Sequence, residues 1–387
     1  MRVAISVIGR FHLFNLAQQL LRRGHLSQLI TSHPKFSAAK YGIPGAKVDP
    51  VIIKEVLERG WRKLPQWVRY VYNPQYRIHR IFDRVSARKL RESDILVATP
   101  GAYPRTINKG RALGATIILE QGSSHSLYAT KILSEEYERF GMNPNRPFRT
   151  THPRLIEGDL RAYEEVDYIS IPSKFVKRTF LEKGISEDKL IHVPYGVDLS
   201  SFRQALKEDK VFRIMFVGGM TLRKGVHYLL QTFSELNLPN SELMLIGSMN
   251  DEMRPFFKKY EGSFKYVGHV PQKELYKYYS QGSVFVIMSI EEGLAMVQPQ
   301  AMACGLPVVC TTNTGGEDIV RDGRDGFVIP IRDTDTLKEK LVYLYENPEE
   351  REKMSKSAKE RVSSGFTWDD YGEKIIKEYG RVLAESK

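Results

Sequence analysis

The segment Ser289–Val309, SIEEGLAMVQPQAMACGLPVV, places two carboxylates, Glu291 and Glu292, ahead of Gly293, and an amide, Gln300, eight positions beyond Glu292. A carboxylate accepts from two hydroxyl groups, and an amide both accepts and donates, so the pair suits a hydroxyl-rich ligand. Pro299 is tolerated in a first helical turn, and Gly305 and Pro307 close the helix. The part before it reads as loop, which lets Glu292 and Gln300 face one ligand. Glu291 reads equally as an acid capping the helix start.

A second group is FVGGMTLRKGVHYLLQTF, Phe216–Phe233, where Gly218-Gly219 is followed by Arg223-Lys224-Gly225 and an amphipathic helix. Helix starts favour acids, so two adjacent cations there suggest that a bound anion supplies the missing negative charge. Arg by its fork and Lys as a point charge together suit a diphosphate. Two first-half loops carry further candidates. SVIGRFHLF brings Gly9, Arg10 and His12 to the turn after an apolar strand, where a helix N-terminus offers free N–H groups to an anion. ILEQGSSHSLY brings Ser123, Ser124 and His125 to a second strand end. Its histidine is suited to positioning an acceptor hydroxyl, and either serine is suited to capping a helix.

These loops need rigid strands beneath them. Short apolar runs at Val3–Gly9, Ser27–Thr31, Asp94–Ala98, Thr116–Glu120, Asp167–Ile171 and Leu190–Val193 alternate with helical-period segments. The rhythm repeats at Arg213–Gly218, Glu242–Gly247, Phe264–Val267, Val284–Met288, Pro307–Thr311 and Gly326–Pro330. Strands apolar on both faces belong to parallel sheets covered by helices. The prediction is α/β, with two facing Rossmann-like domains and the site in the cleft between them. Polar Val197–Lys210 separates the two series, dividing the chain into 1–205 and 206–366.

Composition is ordinary for a globular protein of 387 residues, with 42% hydrophobic and 27% charged side chains. No run reaches a bilayer-spanning length, and the N-terminal apolar stretch reads as a strand rather than a leader. Two neighbouring cysteines, Cys304 and Cys310, without metal-type partners, point to a reducing cytoplasm. The net charge of +12 is uneven: residues 1–205 carry 33 Lys+Arg against 19 Asp+Glu, the remainder 25 against 27. Such a field attracts phosphates, anionic lipid or nucleic acid.

Taken in order, SIPSKFVKRTFLEKGI…KLIHVPYGVDLSSF, FVGGMTLRKGVHYLLQTF, EEGLAMVQPQAMACGLPVV and FTWDDYGEKIIKEYGRVL resemble the retaining glycosyltransferases of family 4, which have the GT-B architecture. The resemblance covers most of the chain and is strongest from Asp167 to Gly326. It implies a nucleotide-diphosphate sugar donor, UDP- or GDP-linked, no tightly bound cofactor and no metal. It also implies a glycan, glycolipid or small-molecule acceptor and a terminal helix, about 367–387, that packs back on the first domain. Carried over, Lys224 matches the lysine that binds the donor diphosphate. The family's arginine precedes that lysine by five positions, where this chain has Gly219, and Arg223 is the substitute. Glu292 matches the first glutamate of the E-x7-E stretch, and Gln300 stands where the second holds the ribose hydroxyls. Gly293 and the backbone N–H groups from Leu294 through Ala295 and Met296 to Val297 would line the donor phosphates. Gly9 matches the glycine-rich first loop, and Gly9, Arg10 beside it and Gly219 count among the implied donor-binding residues. His125 resembles the first domain's histidine near the reacting centre, which makes His125, Glu292 and Lys224 the catalytic candidates. His12, Ser123 and Ser124 are acceptor-side candidates.

The reaction implied is transfer of a glycosyl unit to an acceptor hydroxyl with retention at the anomeric carbon. Developing charge on the diphosphate would be stabilised by Arg223, Lys224 and helix N-termini. Asp333-Thr-Asp335 reads as a helix cap rather than a metal site. Lys54–Asp94 interleaves Trp61, Trp67, Tyr70, Tyr72 and Tyr76 with Arg62, Lys63, Arg69, Arg77 and Arg80. That mixture suits an anionic membrane surface at the inner face of the membrane, an acidic acceptor, or a helical insert packed on its own domain. Nucleic acid is disfavoured, because no recognition helix or aromatic ribonucleoprotein motif accompanies the charge. A sugar-nucleotide epimerase on the same fold and a non-catalytic sugar-nucleotide binder are the alternatives.

Overall fold

The computed structural model describes residues 1–65, 67–68, 72–101, 103–143 and 152–385. Arg69 and Tyr70 of the basic aromatic stretch lie outside these residues, and the side chain of Arg62 is likewise not described.

Two parallel sheets form the frame. The first has order β3-β2-β1-β4-β5-β6-β7, built from Val3–Val7 (β1), Leu26–Thr31 (β2), Val48–Pro50 (β3), Ile95–Ala98 (β4), Thr116–Glu120 (β5), Tyr168–Ile171 (β6) and Leu190–His192 (β7). The second has order β10-β9-β8-β11-β12-β13, built from Phe212–Val217 (β8), Ser241–Ile246 (β9), Lys265–Gly268 (β10), Val284–Ile287 (β11), Val308–Thr311 (β12) and Gly326–Ile329 (β13). β1, β4, β5, β8, β11 and β12 are buried along their whole length. That is why they read as continuous apolar runs rather than as alternating patterns. All twelve expected strands are present, with ends differing by a residue or two. β3 went unforeseen, because it is a three-residue edge strand that ends in a proline.

In both sheets the strand order reverses beside the first strand, between β1 and β4 and between β8 and β11. Loops at the carboxyl ends of strands flanking such a reversal form the ligand crevice of open α/β sheets. Residues 8–12, 218–224 and 288–296 are the loops after β1, β8 and β11, and Thr99 and Pro100 follow β4. The last helix, Trp368–Glu385, packs on helix Leu13–Arg22 of the first domain. A Cβ at Gly372 would stand 2.6 Å from Gln19 Oε1, so the absent side chain sets that contact. Val197 N donates to Phe366 O at 2.7 Å, tying the returning chain to the junction.

The two domains meet through buried polar groups. Glu136, on helix Ser126–Arg139 of the first domain, accepts from Tyr228 Oη at 2.7 Å and Arg332 Nε at 2.7 Å, and lies 3.0 Å from His227 Nε2. Ser173 Oγ donates to Gly293 O at 2.6 Å, and Lys174 N donates to Asp318 Oδ2 at 2.7 Å. Cys304 and Cys310 are buried and unpaired, and burial pushes each thiol up to about 12. Asp333 caps helix Thr334–Glu346, accepting from Thr336 N at 2.9 Å, as its sequence context suggested. Among the described residues no helix is long and apolar enough to cross a membrane.

Candidate active site

In the second domain, Thr221 caps a single 3-10 turn, Leu222–Lys224, through its side chain, and Gly225 ends the turn at φ 64. A Cβ on Gly225 would stand 1.8 Å from Met288 O, so only glycine lets this turn lie against the end of β11. That contact brings Arg223 and Lys224 onto the acidic loop. Arg223 Nη1 donates to Glu291 O at 2.9 Å and pairs with Glu292 Oε1 at 3.0 Å and Glu291 Oε2 at 3.5 Å. Lys224 Nζ pairs with the same Glu292 oxygen. Burial pushes the Glu292 carboxyl up, but Arg223 and Lys224 outweigh it and hold it below the ordinary carboxylate range. Glu292 in turn raises the Arg223 guanidinium. The negative charge that the two cations called for is therefore supplied by the protein itself through Glu292. Gly219 has ordinary backbone geometry, and a Cβ there would meet only Ser248 Oγ at 3.9 Å. The arginine missing at this position is thus excluded by sequence, not by backbone.

Three expectations need correction. Glu291 does not cap its own helix: Ser124 N at 3.0 Å and Ser124 Oγ at 2.7 Å donate to it across the domain boundary. Ser124, fully buried, is therefore a clasp residue rather than an acceptor-side group. The amide of Ala295 donates to Thr314 O at 3.0 Å and is unavailable to a phosphate, whereas those of Leu294, Met296 and Val297 find no acceptor among the described residues.

His125 is the N-cap of helix Ser126–Arg139, accepting from Leu127 N through Nδ1 at 3.2 Å, so the cap is neither Ser123 nor Ser124. Its ring packs against Tyr163 and Phe180, is 3% exposed, and lines neither cleft cavity. Burial, then Lys183, brings it down to about 4.

Of the two candidate histidines, His12 is the one that reaches the cleft. Its Nε2 lies 2.8 Å from Glu120 Oε1, and its ring stacks on Tyr195 with centroids 4.0 Å apart. Glu120 escaped the sequence reading. Its signal was a carboxylate closing an otherwise apolar strand. His12, Gly9 and Phe11 stand between two cavities, one of about 470 Å³ that reaches Ser123 and one of about 1120 Å³ that reaches Met296 and Gln300 of the second domain. Gly9 sits at φ 104, and its N–H is already given to Ser32 Oγ at 3.0 Å. Arg10 lines the larger cavity. Arg223, Lys224 and Glu292 line neither. Gly122 and Gly293 press together between the two groups, where a Cβ on Gly293 would stand 1.9 Å from Gly122 O.

Known proteins place this arrangement. Over the whole chain the structure superposes on sucrose-phosphate synthase from Thermosynechococcus elongatus, with TM-score 0.73, 17% identity and 100% of both chains covered. It superposes on Anabaena HepE in complex with UDP and glucose with TM-score 0.71 and 14% identity, covering 98% of this chain and 100% of that one. The fold is that of a GT-B glycosyltransferase. Residues 198–361 match the family described as Glycosyl transferases group 1, so Arg223, Lys224, Glu292 and Gln300 all lie inside the matched GT-B half. In sequence the chain is similar to the GDP-mannose-dependent monoacylated alpha-(1-6)-phosphatidylinositol monomannoside mannosyltransferase of Corynebacterium glutamicum, 25% identical over 54% of this chain and 61% of that protein. It is also similar to the capsular polysaccharide biosynthesis glycosyltransferase CapM of Staphylococcus aureus, 29% identical over 46% of this chain and 48% of that one. The matches thus span about half to three-fifths of the length of these curated relatives.

Proposed function

We propose that the chain is a glycosyltransferase that moves a glycosyl unit from a nucleotide-diphosphate sugar to an acceptor hydroxyl with retention of configuration. The observation that carries this reading is the Arg223–Lys224–Glu292 cluster at the carboxyl ends of β8 and β11. The donor diphosphate takes up Arg223 and Lys224, together with the amides of Leu294, Met296 and Val297. Glu292, relieved of part of its pairing, accepts from hydroxyls of the donor sugar. Gln300, in the larger cavity, holds the ribose. The acceptor oxygen bonds to the anomeric carbon as the bond to the diphosphate oxygen breaks. The acceptor proton passes to that leaving oxygen, on the same face of the sugar. No metal or tightly bound cofactor takes part in this scheme, and the first domain binds the acceptor.

The same reading puts the protein at an anionic membrane surface on the cytoplasmic side. Ile52, Ile53, Val56 and Leu57 of the helix region 52–62 are 40–62% exposed, and Trp67 is 72% exposed. Co-sedimentation with vesicles should rise with their anionic lipid content, and indifference to it would remove the membrane from the proposal.

The test of function is a thermal-shift screen of UDP- and GDP-sugars, because a ligand of the native state alone stabilises it. HepE holds UDP, and the Corynebacterium relative is named for GDP-mannose, so both series belong in the screen. The anomeric coupling in the product then reports retention. Stabilisation by no donor would overturn the reading, and a trapped covalent glycosyl-enzyme would overturn the single-step mechanism.

A further inference from the structure

The first domain's wall of the larger cavity carries charge apart from the Arg223–Lys224–Glu292 cluster. Arg10 stands on the loop after β1, Lys40 follows helix Lys35–Ala39, and Arg59 belongs to helix Ile53–Arg62. Among the described residues none of the three has a carboxylate within ion-pairing distance. Lys54 beside them is different: it is buried, and its charge is spent on Glu55 at 3.0 Å and Glu58 at 2.6 Å. The cations share one space. His33, which lines the same cavity, is lowered first by burial and, against the pull of Glu55, by Arg10, Lys54 and Arg59 together. Convergent unpaired cations from three separate elements form a field suited to an anion.

The smaller cavity adjoins this wall and has the opposite character. It shares Gly9, Phe11, His12, Lys54 and Glu58 with the larger one. Beyond them its wall is mostly apolar, with Ile8, Leu13, Trp61, Ile78 and Pro100, and the Glu120 carboxylate in it faces His12 at 2.8 Å. Burial, with Lys54 adding to it, brings His79 in that wall down to about 4, so it adds no charge at neutral pH. Phe11 divides the two spaces. It is 71% exposed and sits at φ 39, a left-handed conformation that disfavours a bulky side chain. A strained, solvent-facing aromatic ring gains most from a ligand that covers it.

Resting on the glycosyltransferase reading, we propose that the acceptor is an amphiphile that joins a phosphate-class anion to an apolar chain or ring. Lys40 and Arg59 hold the anion, with Arg10 at the seam towards the donor, and the smaller cavity receives the apolar part past Phe11.

Isothermal titration of the full chain with dodecyl phosphate, methyl phosphate and dodecyl glucoside, each below its micellar concentration, tests this. Dodecyl phosphate should bind at least about tenfold more tightly than either of the others, since it alone offers both charge-assisted contacts and apolar burial. The Lys40→Ala/Arg59→Ala double variant should lose about tenfold or more of that affinity while binding the nucleotide donor as the parent does. Phe11→Ala, at an exposed position, should narrow the gap between dodecyl and methyl phosphate. Equal affinity for dodecyl phosphate and dodecyl glucoside, or for dodecyl and methyl phosphate, overturns the proposal. So does a double variant that binds dodecyl phosphate unchanged. Nucleotide-sugar binding measured on the same samples separates the two readings: if it persists while the amphiphile arm fails, this acceptor class falls and glycosyl transfer stands.

Discussion

At the scale of single residues, the decisive feature is one carboxylate oxygen shared by two cations. Glu292 is 8% exposed, so its charge is tolerable only because Arg223 and Lys224 face it. A diphosphate that takes over the cations exchanges one anion for another without leaving either cation bare. Lys224→Ala should weaken the effective nucleotide-sugar donor by about 10–100-fold, the loss of one charged hydrogen bond of about 1.5–3 kcal/mol. Calorimetric titration measures it, and an unchanged affinity would remove Lys224 from the site. His125 separates chemistry from capping. Since its Nδ1 caps a helix and its ring is buried against Tyr163 and Phe180, His125→Asn, which keeps the cap, should lower the melting temperature through lost packing but retain turnover at temperatures where the variant is folded. A fall in turnover of the folded variant would mean that the ring acts in the reaction.

At the scale of elements, the site depends on how close one 3-10 turn comes to the end of β11. Gly225 permits that approach, with its positive φ and the Met288 carbonyl where a Cβ would be. Gly225→Ala should cost more than about 2 kcal/mol, because left-handed strain adds to a backbone clash that no rotamer relieves. Urea unfolding checks this, and a loss under half that amount would show that the turn can shift. Much of this layer was legible in sequence. The strands are apolar on both faces, and turn glycines and prolines mark their ends. Three features were hidden for identifiable reasons. β3 is too short and ends in proline. Glu120 looks like the end of a strand until His12 is brought against it. Ala295 looks like one free amide among four until Thr314, nineteen residues on, accepts from it.

At the scale of the whole molecule, polar clasps sit within an apolar core that runs through both domains, where Phe140 meets Tyr228 and Phe256. Gly293→Ala places a Cβ against Gly122 O without disturbing either sheet. It should leave both domains folded but separate them, raising the radius of gyration in solution scattering and lowering turnover. A variant as compact and active as the parent would show that the contact is dispensable. The second clasp predicts a pH dependence. Burial pushes the Glu136 carboxyl up, but hydrogen bonds from His227, Tyr228 and Arg332 hold it below the ordinary range. Burial likewise lowers His227, against the pull of Glu136. Both folded pKa values are depressed, so both contributions are present at neutral pH and decline with acidity. The His227 contribution declines below about 6.5 and that of Glu136 below about 4.3. The melting temperature should fall from pH 7 to pH 4, and Glu136→Gln should flatten the acidic end of that curve. A parent curve as flat as the variant's would refute the clasp.

The sequence by itself determined the α/β alternation, the twelve principal strands, the uneven charge and the residue types gathered at the strand ends. These follow from local properties: burial on two faces, turn chemistry, and the side-chain inventory of each loop. Only the tertiary structure decided what those residues touch. It turned Glu291 from a helix cap into a bridge to Ser124, withdrew His125 into a cap and a core contact, and brought His12 to the cleft. It also paired Glu292 with the two cations expected to await a ligand. The contacts of Glu291, His12 and Glu292 join residues 68 to 167 positions apart, and the ring of His125 meets Tyr163 and Phe180, 38 and 55 positions on, separations that no local pattern of propensity or spacing encodes.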